Sequence, residues 1–348
     1  MGSIPKPVSK GKYMAMKKAL FLFLILPFSL ISLLYAVEEI AAPKTRTFEF
    51  TYSATVKDIP ENSKNVTLWL PLPRSSEFQE ITNLRIETDT PYTITKDEKY
   101  NNHYLNMVIQ TPETSALAVS LSFQITRREH LAPFKPGTDE ITQKPPSKSE
   151  LQMFLKPTEK VVITPQIKKL AKRVTKGKKT SLEKTRALYD YVAGFMKYDK
   201  SGTGWGNGDV QFCLLEKRGN CSDYHSFYSA LAISSGIPTR FAMGFPIPGD
   251  KNEGEIGGYH CWAESYVDGQ GWIPVDISEG DKNTDRYEYF FGAHDENRVE
   301  FTVGRDIILN PKQQGKALNY FIYPYAEVDG KAHTSIERKF YFKDLHSI

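Results

Sequence analysis

The sequence predicts an α+β fold, and three observations predict it. Apolar and polar residues alternate strictly in the N-terminal part of the chain, capped helical segments follow, and a tight pair of strands comes after the helices. Strands and helices that segregate along a chain point to α+β rather than to a parallel α/β sheet.

Phe48, Phe50, Tyr52, Ala54 and Val56 alternate with Glu49, Thr51, Ser53 and Thr55, and Val119, Leu121, Phe123 and Ile125 alternate with Ser120, Ser122, Gln124 and Thr126. A period of two puts each apolar set on one sheet face, so both segments read as half-buried strands. Residues 66–70 and 105–109 add strand candidates between turn-rich gaps, which predicts a β-sandwich-like domain over 46–128. Pro133, Pro136, Gly137, Pro145, Pro146 and Pro157 make 129–160 a linker or extended arm.

Thr164 is an N-cap before Pro165, and Ile167, Leu170, Ala171 and Val174 follow at helical spacing. Thr180 and Glu183 form the capping box of a second helix, whose buried face is Leu188, Val192, Phe195 and Met196. The glycine-rich stretch 201–208 lacks the Lys-Ser/Thr ending of a phosphate-binding loop and is not read as one. A third helix starts near Cys221, runs to about Ser235 and is stopped by Gly236-Ile237-Pro238. Residues 241–244 and 259–267 read as strands, and the turn at 268–271 folds the second back into 272–276. These elements define a domain over 161–298, followed by a C-terminal β extension over 299–348.

The formal charge of +4 has a local origin. Residues 1–36 hold five lysines and no acid, so the remaining chain carries 40 basic and 41 acidic side chains. With no basic patch interleaved with aromatics, nucleic acid is not an expected partner. Lys17-Lys18 precede an apolar run from Ala19 to Ala36, broken by Pro27, Ser29 and Ser32, and Val37-Glu38-Glu39 turns polar. This order reads as a secretory leader over 1–36. An uncleaved membrane anchor is the competing reading, because the run approaches the length of a span, and it would be the expected membrane contact. Export to the periplasm, cell surface or medium is therefore expected.

Cys213, Cys221 and Cys261 are an odd set, so an exported chain keeps at least one free thiol. Cys221 follows Arg218-Gly219-Asn220 and opens a helix. A thiolate there faces unpaired N–H groups and the positive end of the helix dipole, which lowers its pKa. A buried structural cysteine is the bland alternative. His260 lies on a strand whose alternation places it with Trp262, Glu264 and Tyr266 on one face. The hairpin brings Asp276 alongside, where it could orient the imidazole and stabilise its protonated form. Pro274 implies a bulge or a sheet edge there.

Arg218-Gly219-Asn220-Cys221-Ser222-Asp223, with Ala230-Leu231-Ala232 and Gly236-Ile237-Pro238-Thr239-Arg240, resembles the nucleophile helix and following strand of the transglutaminase-like superfamily. Gly258 to Glu264 resembles its histidine strand, and Gly271 to Asp276 its aspartate strand. The resemblance covers about 180–295. It implies a papain-like core with a Cys221-His260-Asp276 triad, in which Cys221 attacks an amide carbonyl and releases an amine from a thioester. Water or a second amine would then take the acyl group, giving peptide hydrolysis, deamidation or cross-linking. An oxyanion hole is also implied, with the Cys221 backbone N–H as one donor. Trp205 is the expected second donor, and Tyr198 is the alternative.

The implied substrate is a protein or peptide, possible cell-envelope material included, and no cofactor or metal is expected. Asp276, Glu279, Asp281 and Asp285 read as a solvated acidic loop rather than a calcium site. His225 and the three cysteines fit no zinc spacing. Cys261 is expected to face the core, and pairing with Cys213 is left open by the sequence. The reading from another functional class is a non-catalytic protein- or cell-wall-binding module on the same scaffold.

Overall fold

A computed structural model describes residues 42–136 and 145–345 of the chain. The leader read over 1–36 lies outside the described residues, as does part of the expected linker. Among the described residues no helix is long and apolar enough to cross a membrane.

The first strands are β1 (Thr45–Val56), β2 (Asn65–Leu72), β3 (Gln79–Glu87), β4 (Tyr92–Lys96), β5 (His103–Gln110) and β6 (Leu117–Arg128), with the short β7 (His130–Leu131) behind them. The alternation read from the sequence is the burial pattern of β1 and β6, where every second side chain is buried. Their register sets Phe50 opposite Phe123 and Tyr52 opposite Leu121.

Helices come next: α1 (Lys148–Met153), α2 (Pro165–Val174), α3 (Ser181–Phe195), α4 (Val210–Glu216) and α5 (Cys221–Ser234). The Thr164 hydroxyl accepts from the Ile167 amide, and Thr180 and Glu183 make their capping box, so the predicted helix starts fall where local hydrogen bonding puts them. Two short strands, β8 (Lys197–Tyr198) and β9 (Arg218–Gly219), pair in parallel just before α5.

The remaining elements are β10 (Thr239–Pro246), β11 (Glu253–Glu255), β12 (His260–Val267), β13 (Gly271–Val275), α6 (Ile277–Lys282), β14 (Ala293–His294), β15 (Arg298–Val303), β16 (Tyr325–Val328), β17 (Lys331–His333) and β18 (Ile336–Asp344). Besides the short β14–β7 pair, their strands enter three larger sheets, two of them shared with the N-terminal strands. One has the order β11-β18-β1-β6-β3, a second β17-β16-β2-β5-β4, and a four-stranded third β13-β12-β10-β15. The strands β16, β17 and β18 thus complete both five-stranded sheets, and the described residues form one compact unit.

The two five-stranded sheets share an apolar core with β10 and β15, and that core extends to Cys221 and Cys261. A second core packs α2, α3, α4 and α5 against β12 and β13. Helix α5 lies between them and is buried on every side from Cys221 to Ala232. A helix with no wet face is a core element. Its N-terminus therefore ends among other side chains, which makes a reactive group there controllable by its neighbours.

Candidate active site

Local hydrogen bonds fix the start of α5. Asn220 is the N-cap, its side-chain oxygen accepting from the Ser222 amide at 2.9 Å. The Asp223 carboxylate accepts from the Asn220 amide at 2.9 Å, and also from the amides of Gly206 at 2.6 Å and Gly208 at 3.0 Å. One carboxylate thereby ties the glycine-rich loop to the first turn of the helix. A side chain at Gly208 would strike Ser226 and Arg305, and its φ of +62° is left-handed, so only glycine suits this close approach. Cys221 follows the cap as the first helical residue and is 4% exposed.

His260 and Asp276 come together as the hairpin predicts. His260 Nε2 lies 2.8 Å from Asp276 Oδ2, and both are buried. Strand β13 is the edge of its sheet, which accommodates Pro274. Asp276 caps α6, accepting from the Glu279 amide at 3.3 Å. With Nε2 turned to Asp276, the imidazole presents its Nδ1 edge to Glu279, whose Oε1 is 4.0 Å away, and the Cys221 thiol is also among its hydrogen-bonding neighbours.

The charges agree with this geometry. Hydrogen bonding to Cys261, then to His260, holds the Cys221 thiol well below its ordinary pKa against the opposing effect of burial. Burial works against protonation of His260, but the Asp276 charge and hydrogen bond, with Cys221, lift it to about 10. Burial likewise opposes ionisation of Asp276, yet His260 and then Arg298 keep it well below the usual carboxylate range. A low thiol beside a high imidazole is a thiolate–imidazolium pair.

Two further residues surround Asp276: Arg298, which the sequence did not single out, and His225, which it weighed only as a metal ligand. Arg298 Nη1 donates to Oδ2 at 3.2 Å, while its Nη2 reaches Asp295 at 3.4 Å. His225 Nε2 is 3.6 Å from Oδ1 and accepts the Ile277 amide at 3.0 Å. A neutral His225 therefore carries its proton on Nδ1, which faces Cys261 Sγ at 3.9 Å. Burial pushes His225 down to about 4, so it is neutral near pH 7. Arg298 belongs to β15 and could not have been matched to Asp276 by spacing alone.

Cys261 is fully buried, as expected for its strand face. That face meets the first turn of α5, where Ser222 Oγ is 3.6 Å from its sulfur. Cys213 sits elsewhere, its thiol donating to the Asp223 carbonyl at 3.4 Å, and all three cysteines are free.

The oxyanion expectation changes. Trp205 donates its indole N–H to the Gly202 carbonyl at 3.1 Å, within its own loop. That donor is already committed. Tyr198 is better placed, because β8 pairs with β9 and sets it beside Gly219, two residues before the thiol. Burial, and after it the Cys221 charge, raise the Tyr198 phenol above its ordinary value, so it keeps its proton.

The acidic stretch after β13 is engaged in local contacts. Asp281 accepts from the Tyr224 hydroxyl at 2.6 Å, and Glu279 pairs with Lys282, whose ammonium lies 4.8 Å from the Tyr198 ring centre. Among the described residues His130, Glu264 and His294 bring ligand-type atoms within 4.8 Å of one another. Arg240 takes Glu264 Oε2 at 2.5 Å and Trp262 donates to Oε1 at 3.2 Å, so that carboxylate is spent on protein partners.

The sequence profile of the transglutaminase-like superfamily matches residues 168–277. An uncharacterized protein of Haemophilus influenzae is 30% identical, with 84% of this chain and 88% of that protein aligned. The uncharacterized protein YebA of Bacillus subtilis is 26% identical over 34% of this chain and 18% of its own length. A crystal structure of a candidate cysteine protease from Cytophaga hutchinsonii superposes with a TM-score of 0.57 at 16% identity, covering 88% of this chain and 92% of that one. At that identity the likeness is one of fold.

Proposed function

The chain belongs to the transglutaminase-like superfamily, and on that premise we propose that it is an exported thiol enzyme acting on peptide or glutamine-type amides. The observation that carries the reading is the buried His260–Asp276 pair, 2.8 Å apart, facing a depressed thiol at the first position of a helix.

In this mechanism the Cys221 thiolate attacks the amide carbonyl carbon. The carbonyl oxygen becomes an oxyanion, received by the Cys221 amide N–H and the Tyr198 hydroxyl. The amide at the first helical position has no carbonyl partner within the helix, so it is available. The His260 imidazolium gives its proton to the leaving amine as the C–N bond breaks, leaving a thioester. The neutral imidazole then takes a proton from water or from a second amine, which attacks the thioester and regenerates the thiolate. Asp276 holds the imidazole by Nε2 throughout and stabilises its cation. Water as acceptor makes the enzyme a peptidase or deamidase, and an amine makes it an acyltransferase. Export rests on the leader at 1–36, through which an uncleaved chain would also touch the membrane.

Iodoacetamide labelling across pH, followed by peptide mapping, tests the thiol chemistry. Selective alkylation of Cys221 well below pH 8.5, the free-thiol reference, and its loss in His260→Ala, is the expected result. An unreactive Cys221, indifferent to His260→Ala, would instead favour a binding module.

A further inference from the structure

Basic charge is concentrated in one place. Residues 165–179 hold seven cations and no acid, whereas the chain outside 1–36 and 165–179 carries 33 basic and 41 acidic side chains. The fold turns this run into the rim of a groove of about 810 Å³ between α2, α3 and α4. Lys169, Lys172, Arg173, Lys176 and Lys217 line it, with no acidic side chain among its lining residues. Neighbouring ion pairs join Lys160 to Asp209, Arg186 to Asp190 and Arg218 to Glu216, and among the described residues none involves those five cations. Lys217 lies over the Phe195 ring at 5.4 Å instead.

The floor has a different character. Leu170, Tyr191, Phe195 and Leu214 form it, and the Tyr191 and Phe195 rings stack at 5.4 Å. Leu215 beside it is 76% exposed. Apolar surface ringed by unpaired charges of one sign is costly to keep together without a partner that answers both.

We propose that this groove is a docking site for acidic, amphipathic peptide segments of the protein substrate. Glutamate or aspartate side chains would meet the rim, and interleaved aliphatic side chains would lie on the Tyr191–Phe195 floor. This is the pattern by which a segment with alternate anchors is read in a groove. A concave, apolar-floored site favours a peptide over the two other polyanions. A bilayer surface is met by groups that protrude into it, and a nucleic-acid backbone carries its charges on phosphates that link polar sugars, with no aliphatic side chains for the floor. The proposal rests on the thiol-enzyme reading for calling the peptide a substrate. Its binding test does not depend on catalysis.

The test is fluorescence anisotropy of a labelled synthetic peptide alternating glutamate and leucine, titrated with the full chain and with its Cys221→Ala variant. Binding should be equal for the two and should weaken as salt rises, as screening of surface charge demands. Lys172→Glu with Arg173→Glu should weaken it at least about tenfold, the size expected for reversing two interface charges. Leu214→Asn should weaken it independently, through the floor. Circular dichroism of each variant guards against simple unfolding. No binding, binding unmoved by both variants, or capture of phosphatidylglycerol vesicles or single-stranded DNA that the peptide fails to displace would each overturn the proposal. Loss of Cys221 reactivity with peptide binding intact would overturn the enzyme reading alone.

Discussion

Where the sheet holding β1 and β6 packs on β10 and β15, Phe50 stacks on Phe123 at 5.4 Å and meets Phe245 and Phe301 at 5.3 and 5.7 Å. Around Asp276, at the same depth, the buried neighbours are His225, His260, His294 and Arg298. In the sandwich, burial is itself the stabilising term, because apolar area leaves water. Around Asp276, burial is a penalty that partners must offset, and the offset is what sets protonation. One interior thus serves stability and the other serves charge placement. A core substitution should then lower stability with little change in pH behaviour, and a substitution around Asp276 should do the reverse or both.

The largest expected effect is on turnover. Asp276→Asn should lower kcat by on the order of 10³–10⁴-fold, the scale at which a mis-oriented catalytic histidine fails. Thermal melting of the variant would show whether the fold survives. Next, Tyr198→Phe should cost on the order of 10²–10³ in kcat with KM little changed, as for loss of one oxyanion donor. An unchanged kcat would return that role to another group.

Arg298→Met removes one partner of a buried ion pair and should destabilise the fold by about 3–5 kcal/mol. It should also move Cys221 alkylation to higher pH, since Asp276 loses part of what keeps it ionised. Phe50→Ala should destabilise by a similar about 3–5 kcal/mol, yet leave the alkylation profile where it was. Equal shifts in the two pH profiles would erase the contrast between the regions.

A smaller effect is the pH dependence of stability. His260 is raised to about 10, so its contribution is complete below its ordinary value of 6.5 and is lost as pH rises through about 10. Asp276 is depressed, so its contribution is present above the ordinary carboxylate value and is lost as pH falls through its lowered one. His260→Gln should flatten the alkaline fall in melting temperature. Smallest of all, Trp205→Phe should stay within about 0.5 kcal/mol and leave kcat unmoved, because its indole serves its own loop.

Much of this was legible in the sequence where the cause was local. Thr164 and Thr180 announce helices because a cap acts over three residues, and the β12–β13 turn brings His260 to Asp276 because a hairpin is short-range. What stayed hidden was long-range. Arg298 reaches Asp276 only because β15 lies beside β10. Tyr198 was weighed below Trp205, since nothing in the sequence shows that the indole is consumed by Gly202. Cys261 was placed on the right face of its strand, but which helix that face meets depends on tertiary packing.

Strand β18 pairs with β1 along its length, Tyr52 opposite Phe340, and Arg46 forks onto Asp344 from 298 positions away. The middle strand of that sheet, β1, therefore emerges from the ribosome long before its final neighbour exists. Pairings separated by most of a chain close slowly, and an open edge waits meanwhile. Emergence of β18, rather than of the thiol helix, becomes the event that lets this sheet close. A prematurely terminated chain would keep its nucleophile sequence and expose a bare strand to its neighbours, a molecule for chaperones and proteases to remove.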